Sequence, residues 1–463
     1  MNTSADGLPM SGDSATIDQY DLALDRLLRY HPDVIELSTA LLATHAPAPM
    51  ASALWAYLNL MSTDPADLVV ARQSHTDLAA AARNERERGH AQAVGAWVDG
   101  DWVGAAREFD EILARWPTDL LALLFGHQMA FFLGDAATLR DLPLRTLAAL
   151  DPAHAHRGFV QGMAAFGLEE CGHYAEALDV GLEAVAANRD DVWAVHAVTH
   201  THEMRGDVDA GIRFLTGGEA DWETGNLFTV HNWWHLGLFQ LEAGRPERAL
   251  EIYDREVHHS ASDGVALEMV DASALLWRLA LDEVDVGDRF DALASAWEPK
   301  SDAEPWYVFN DVHAVLALVG AGRMADAVAV TDRLAGWLPG GRGTNVRMTA
   351  EIGLPVCRAI VAFGEGRFDD VIAELQPIRR SLQVFGGSHA QRDVLQRTLL
   401  ESALRSGRFE LARALAAERV GVRGSSVYGW TAMARALCGL GDDAGARSAE
   451  DRAGGHRTRF QLA

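Results

Sequence analysis

The chain has 463 residues, 49% hydrophobic and 23% charged, the composition of a soluble globular protein with a large core, and disorder of the whole chain is excluded. As a soft prior, the length fits roughly two to four ordinary domains or one long repeat array. With 66 acidic against 40 basic residues, a formal charge of -26, the general surface field repels phosphate backbones and anionic lipid, so neither nucleic acid nor a membrane surface is expected as a partner.

Residues 1–17 combine no basic start with no apolar run, unlike a signal peptide, and are expected to form a disordered tail. Residues 18–90 carry the helical stretches DLALDRLLRYHPDVIELSTALLAT and MASALWAYLNLM without a regular turn, and are expected to be an atypical helical N-terminal cap. From 91 to 450 the chain repeats. In HAQAVGAWVDGDWVGAAREFDEILARWPTDLLALLFG an apolar stripe runs to Trp97, Gly100-Asp101 breaks it, and a second stripe (Ala105, Phe109, Ile112, Leu113) ends at Pro117. That is a helix, a tight turn and an antiparallel helix, the tetratricopeptide pattern with its period of about 34 residues.

The same break recurs at Gly134, Gly172, Gly206, Gly244, Gly322, Gly366, Gly407 and Gly441, in steps of 34, 38, 34, 38, 78, 44, 41 and 34. The step of 78 is read as two of about 39 with a diverged hairpin near DEVDVGDRF. The predicted fold is therefore all-α: tetratricopeptide-type hairpins stacked into a right-handed superhelix with a concave surface, followed by a C-terminal tail at 451–463. Longer connections at 217–226, 296–306 and 338–348 have the length to reach over the groove. Cys171, Cys357 and Cys438 are widely spaced and form no CxxC, and no apolar run reaches the ~18 residues of a membrane span, so a reducing cytoplasmic setting is expected.

Five words of the chain are long and specific: WPTDLLAL (116–123), WAVHAVTHTHEM (193–204), HNWWHLGLFQLEAGRPERALEIYD (231–254), FNDVHAVLAL (309–318) and GGSHAQRDV (386–394). Through them the chain resembles the tetratricopeptide repeat protein 38 family over roughly 20–420. The resemblance implies a repeat superhelix and no reaction. In the last word animal members carry Asn where this chain has His389, so His389 is assigned no role.

Chemistry concentrates on the first helices of two neighbouring hairpins. His196, His200 and Glu203 are spaced i, i+4, i+7 and share one helix face, whereas His202 lies about 200° round from His200. His231 and His235 repeat the i, i+4 device beside Asn232 and Trp234. Counted back from their turn glycines, His196 and His200 stand at ten and six residues, His231 and His235 at thirteen and nine, so the pairs sit about one helical turn apart in height. Further along, Asn310, Asp311 and His313 recur at a similar height before Gly322.

Neutral imidazoles with a carboxylate suit Zn, Mn, Fe or Ni, and His196, His200, His231 and His235 are the candidate ligands. A metal-bound water, or the imidazoles and Glu203 alone with His313, can do acid and base work near neutral pH. Asn232, Trp234, Asn310, Asp311 and Arg392 are candidate substrate contacts, Arg392 for a carboxylate. The spacing departs from HExxH, and there is no P-loop, no dinucleotide GxGxxG and no GxSxG. Asp271, inside an apolar helix, needs a His or Arg partner. The bland alternative is a packed aromatic layer whose imidazoles satisfy core hydrogen bonds.

The favoured reading is an internal polar pocket, catalysing hydrolysis or a related proton transfer on a small polar metabolite. The alternative is a non-catalytic scaffold that binds a protein or peptide in its concave groove. A homodimer is the oligomeric state kept open.

Overall fold

The computed structural model describes residues 2–43, 48–223, 228–301 and 303–462. These are all-α apart from one pair of two-residue strands, and helices adjacent in sequence pack on each other as hairpins. Among the described residues no helix is long and apolar enough to cross a membrane. The chain forms two compact units. The first comprises Met1–Val198, Gly218–Thr229 and Arg342–Val346; the second comprises Thr199–Gly217, Val230–Gly341 and Arg347–Ala463.

The turns follow from backbone chemistry. Each glycine named above has a positive φ, between 65° at Gly134 and 80° at Gly100, and the next N–H reaches back to close the helix end, as in Asp101 N to Ala96 O at 2.9 Å. Where that next residue is aspartate, it also starts the second helix: Asp101 accepts from Gly104 N and Asp135 from Thr138 N. Where it is arginine, at 245, 323, 367 and 408, the side chain makes no cap, and acids in the first turn (Glu247, Asp326, Asp369, Glu410) face the positive helix end instead.

The diverged hairpin turns at Glu283, with φ 60° and Val284 N bonded to Leu279 O at 3.0 Å, the same closure without glycine. Tyr30 does likewise in the N-terminal region, with φ 53° and His31 N on Arg26 O.

Two expectations fail. Residues 2–17, within the expected disordered tail 1–17, are structured: Asn2–Thr3 pairs antiparallel with Pro9–Met10, and a helix starts at Ser14. Met10 is fully buried, and the Glu87 carboxylate accepts from Ser11 N at 2.6 Å and Ser11 Oγ at 3.0 Å, contacts invisible to composition. Of the expected tail 451–463, residues 451–462 belong to the helix Asp443–Leu462, which buries Ala453 and Phe460 despite Gly454 and Gly455.

The long connections are also more structured than expected. Glu219–Trp222 is a helical turn with Trp222 buried, while 224–227 lie outside the described residues. The helix Arg289–Ser301 covers much of 296–306, of which residue 302 is not described. In 338–348, Thr344 N donates to Gly100 O and Thr344 Oγ1 accepts from Trp102 N at 3.0 Å, within the first unit.

The first unit's core stacks Tyr57 on Phe125 at 4.6 Å among Trp97, Trp102, Phe109 and Phe132. It also buries a closed polar network. Arg86 Nε donates to Asp119 Oδ2 at 2.6 Å, His90 Nε2 to the same oxygen at 3.1 Å, and Tyr57 O–H to His90 Nδ1 at 2.9 Å. Burial opposes the Asp119 charge, yet Arg86 and His90 hold its carboxyl well below the usual carboxylate range.

In the second unit the helix Ala266–Leu281 is buried on almost every face and packs against Val308–Gly320 and His389–Arg405. An all-round apolar helix belongs in a core. Asp271 and Arg278 are its charged buried residues.

Candidate functional site

Three helices bring the chemistry together in the second unit. The helix Val192–Arg205 contributes His200 and Glu203, Thr229–Glu242 contributes His231, Asn232, Trp234 and His235, and Ala266–Leu281 contributes Asp271. The rings of His200 and His235 lie 4.5 Å apart, those of His231 and His235 4.7 Å, and those of His200 and His231 6.4 Å. A nitrogen of each of the three lies within 4.8 Å of a nitrogen of the others. His200 and His235 are fully buried, and the His231 side chain is 16% exposed.

Each flanking carboxylate takes one imidazole. His235 Nδ1 stands 2.7 Å from Glu203 Oε2, and His231 Nδ1 stands 2.7 Å from Asp271 Oδ2. With the Nδ1–H donating in both pairs, the lone pair is placed on Nε2, the tautomer suited to a ligand or a base. Burial, with His200, His231 and Arg278 close by, holds His235 well below its ordinary pKa, so the imidazole is neutral at neutral pH. Glu203 and Asp271 thus orient imidazoles, where the sequence reading had put Glu203 among the groups doing chemistry.

Trp234 walls the cluster, stacked on His231 at 5.1 Å and edge-on to His235 at 4.8 Å. Several buried polar atoms here find no hydrogen-bond partner among the described residues: both amide atoms of Asn232, Oδ1 of Asp271 and Nε1 of Trp234. Unmatched buried polar groups are rare and costly, and they concentrate where water, an ion or a ligand completes the set.

The other candidates are placed differently. His196 lies one turn before His200 on the same helix but falls in the first unit, which ends at Val198; its ring packs against Phe166 at 4.9 Å and Phe228 at 4.7 Å. His202 faces away from His200, with its ring 6.1 Å from Phe214.

His313 does not join the gathered imidazoles: its Nδ1–H donates to Phe309 O at 2.7 Å, its ring lies on Phe309, and burial pushes it down to about 4. Asp311 is ion-paired with Arg333 at 2.7 Å. Arg392 donates to the carbonyls of Gly386 and Gly387, fastening the loop before its own helix. Asn310 sits half-buried on the helix Val308–Gly320. Sequence reasoning called for a partner to Asp271 but did not find which; the partner is His231.

No protein-family model matches the chain. Among solved structures it is similar to the human IFIT1 dimer with m7Gppp-AAAA, at 14% identity, covering 96% of this chain and 95% of that one, with a TM-score of 0.37. It is also similar to yeast Tom70, at 11% identity over 98% and 96%, with a TM-score of 0.34. The P58(IPK) TPR domain matches at 10% identity over 82% of this chain and 98% of that one, with a TM-score of 0.22. Likeness this distant carries no functional argument.

Proposed function

We propose that the second unit holds a divalent transition metal at His200, His231 and His235, and that the protein is a metal-dependent hydrolase of a small polar metabolite. The observation that carries this is the pair of carboxylate–imidazole bonds, each 2.7 Å, converging on a third buried imidazole. Carboxylates that take Nδ1–H are the usual outer partners of metal-bound histidine: they fix the ring and raise its basicity. The donor set suits Zn, Mn, Fe or Ni, and an ion there would lower the pKa of a bound water toward ~7. Asn232, beside His231 on the same helix, is the group of this unit that would orient a substrate. Membership of the tetratricopeptide repeat protein 38 family belongs to the same proposal and rests on the sequence words quoted above.

Elemental analysis by mass spectrometry tests it, on protein purified without a histidine tag. About one equivalent of metal is expected in the wild type and none in a folded His200→Ala, His235→Ala protein. Absence of metal from both, and from wild type incubated with Zn, Mn, Fe or Ni, returns the histidines to the core and leaves the scaffold reading.

A further inference from the structure

A second polar feature of the same unit is a cavity lined by Arg278, Arg397, Arg419, Arg423, Asp393 and Glu242, with Glu203 also in its wall. Its volume is about 30 Å³ counted as room for water centres. One water needs ~10–15 Å³ on that measure, so the space suits a compact group of a few heavy atoms. Four guanidiniums face three carboxylates in the lining, a dense gathering of arginines in a chain of net charge -26.

The pairing inside is uneven. Asp393 takes Arg419 through both oxygens, at 2.6 and 3.2 Å, and also Arg423 at 3.6 Å. Arg397 is held by Asp282, outside the lining, at 2.5 Å. Glu203 is occupied by His235. Arg278 is paired with no carboxylate among the described residues: its two terminal nitrogens donate to Ala274 O at 3.0 Å and Ala390 O at 2.6 Å, and it lies over the Trp234 ring at 5.5 Å.

Arg278 is 2% exposed, and burial, with Arg397 and Arg419 nearby, pushes its guanidinium down to about 10 against the pull of Asp393 and Glu203. Nε of Arg397 and Nε of Arg419 are buried donors with no partner among the described residues. Guanidinium forks of this kind match the paired oxygens of a carboxylate or a phosphate.

We propose that this cavity binds a compact oxyanion, the carboxylate or phosphate group of the ligand, with Arg278 as its principal contact and Arg419 and Arg423 beside it. The cavity adjoins the imidazoles twice, through Glu203, which bonds His235, and through Trp234, whose ring meets both Arg278 and His231. The substrate class is therefore a small anionic metabolite, its charged end in the arginine cavity and its reactive part at the histidines. That last step rests on the metal reading above; anion binding itself does not.

The test titrates the full chain with inorganic phosphate and, separately, acetate, against chloride at matched ionic strength. It is read by calorimetry and melting temperature, with metal content measured on the same samples. Saturable binding of at least one of the two is expected. It should be abolished in Arg278→Met and weakened about tenfold in Arg423→Gln, the loss of a charge-assisted hydrogen bond, while metal content is unchanged. Preference for phosphate or acetate identifies the oxyanion.

No saturable binding beyond chloride, or binding undiminished in both variants, overturns the proposal. Should Arg278→Met fail to fold, Arg423→Gln decides. Metal without anion binding sinks only this inference, and anion binding without metal sinks only the hydrolase reading.

Discussion

The two units bury imidazoles beside carboxylates in opposite ways. In the first, Asp119 satisfies Arg86, His90 and the Ala122 N–H at once, and His90 uses both ring nitrogens, one on Asp119 and one on Tyr57. In the second, Asp271 meets His231 with one oxygen and leaves the other unmatched, and Asn232 makes no bond through its amide among the described residues. A buried imidazole meets a carboxylate in both places. The difference lies in leftover hydrogen-bonding capacity: the first network is closed, and the second keeps atoms to which a further partner could bond.

The sharpest way to break this comparison is to open the closed network. Asp119→Ala strands Arg86, which is 1% exposed, and should cost about 3–5 kcal/mol in denaturant unfolding. A loss under about 1 kcal/mol would mean that the network is not what holds that core.

Stripping metal with a chelator should lower the stability of wild type by about 3 kcal/mol, for metal present at about a hundred times its Kd, and leave His200→Ala, His235→Ala unmoved. Asp271→Asn should keep the fold yet weaken metal affinity by about 10- to 100-fold, as loss of an outer partner does. Equal chelator shifts in wild type and the double variant would contradict a histidine-bound metal.

A pH effect belongs to the first unit. Burial pushes the fully buried Asp191 up to about 7, above its unfolded value of 3.8, against the pull of the Ala194 and Trp193 N–H bonds. The folded state therefore holds this proton more tightly. Its contribution is complete below about pH 4 and is lost as pH rises to about 7. Asp191→Asn, which can still cap the helix, should flatten that decline, worth roughly 3 kcal/mol between pH 4.5 and 8. Unchanged slopes in the variant would remove Asp191 as the cause.

The smallest effect is expected at Asn232. Asn232→Ala removes no hydrogen bond seen in the structure, so it should change stability by under ~0.5 kcal/mol in metal-free protein while weakening ligand binding. A large loss of stability would place Asn232 with Asp119 as architecture.

Much of the fold was legible because glycine is the residue that most easily adopts a left-handed turn, so GD and GR pairs marked the hairpins. Glu283 and Tyr30 hid theirs by taking the same conformation without glycine. At the site, counting back from turn glycines put His200, His231 and His235 at compatible heights. It could not say that His313 spends its Nδ1–H on Phe309 O, that Arg392 is fastened to Gly386 and Gly387, or that Asp311 is taken by Arg333. Those outcomes depend on which groups lie across the packing, and helical periodicity carries no such information. The arginine cavity was missed although a clue was present: Arg278 in LLWRLAL and Arg397 in VLQRTLL are charges within apolar runs, the signal that had singled out Asp271.

Thr344 contacts Trp102 across 242 residues of sequence. A repeat array with only nearest-neighbour contacts could fold vectorially, each hairpin settling as it leaves the ribosome. Here the N-terminal unit takes in 342–346, so it stays incomplete until three quarters of the protein has been translated. Nascent chains arrested before residue 342 should therefore expose the Gly100 turn to protease, and release beyond 346 should protect it.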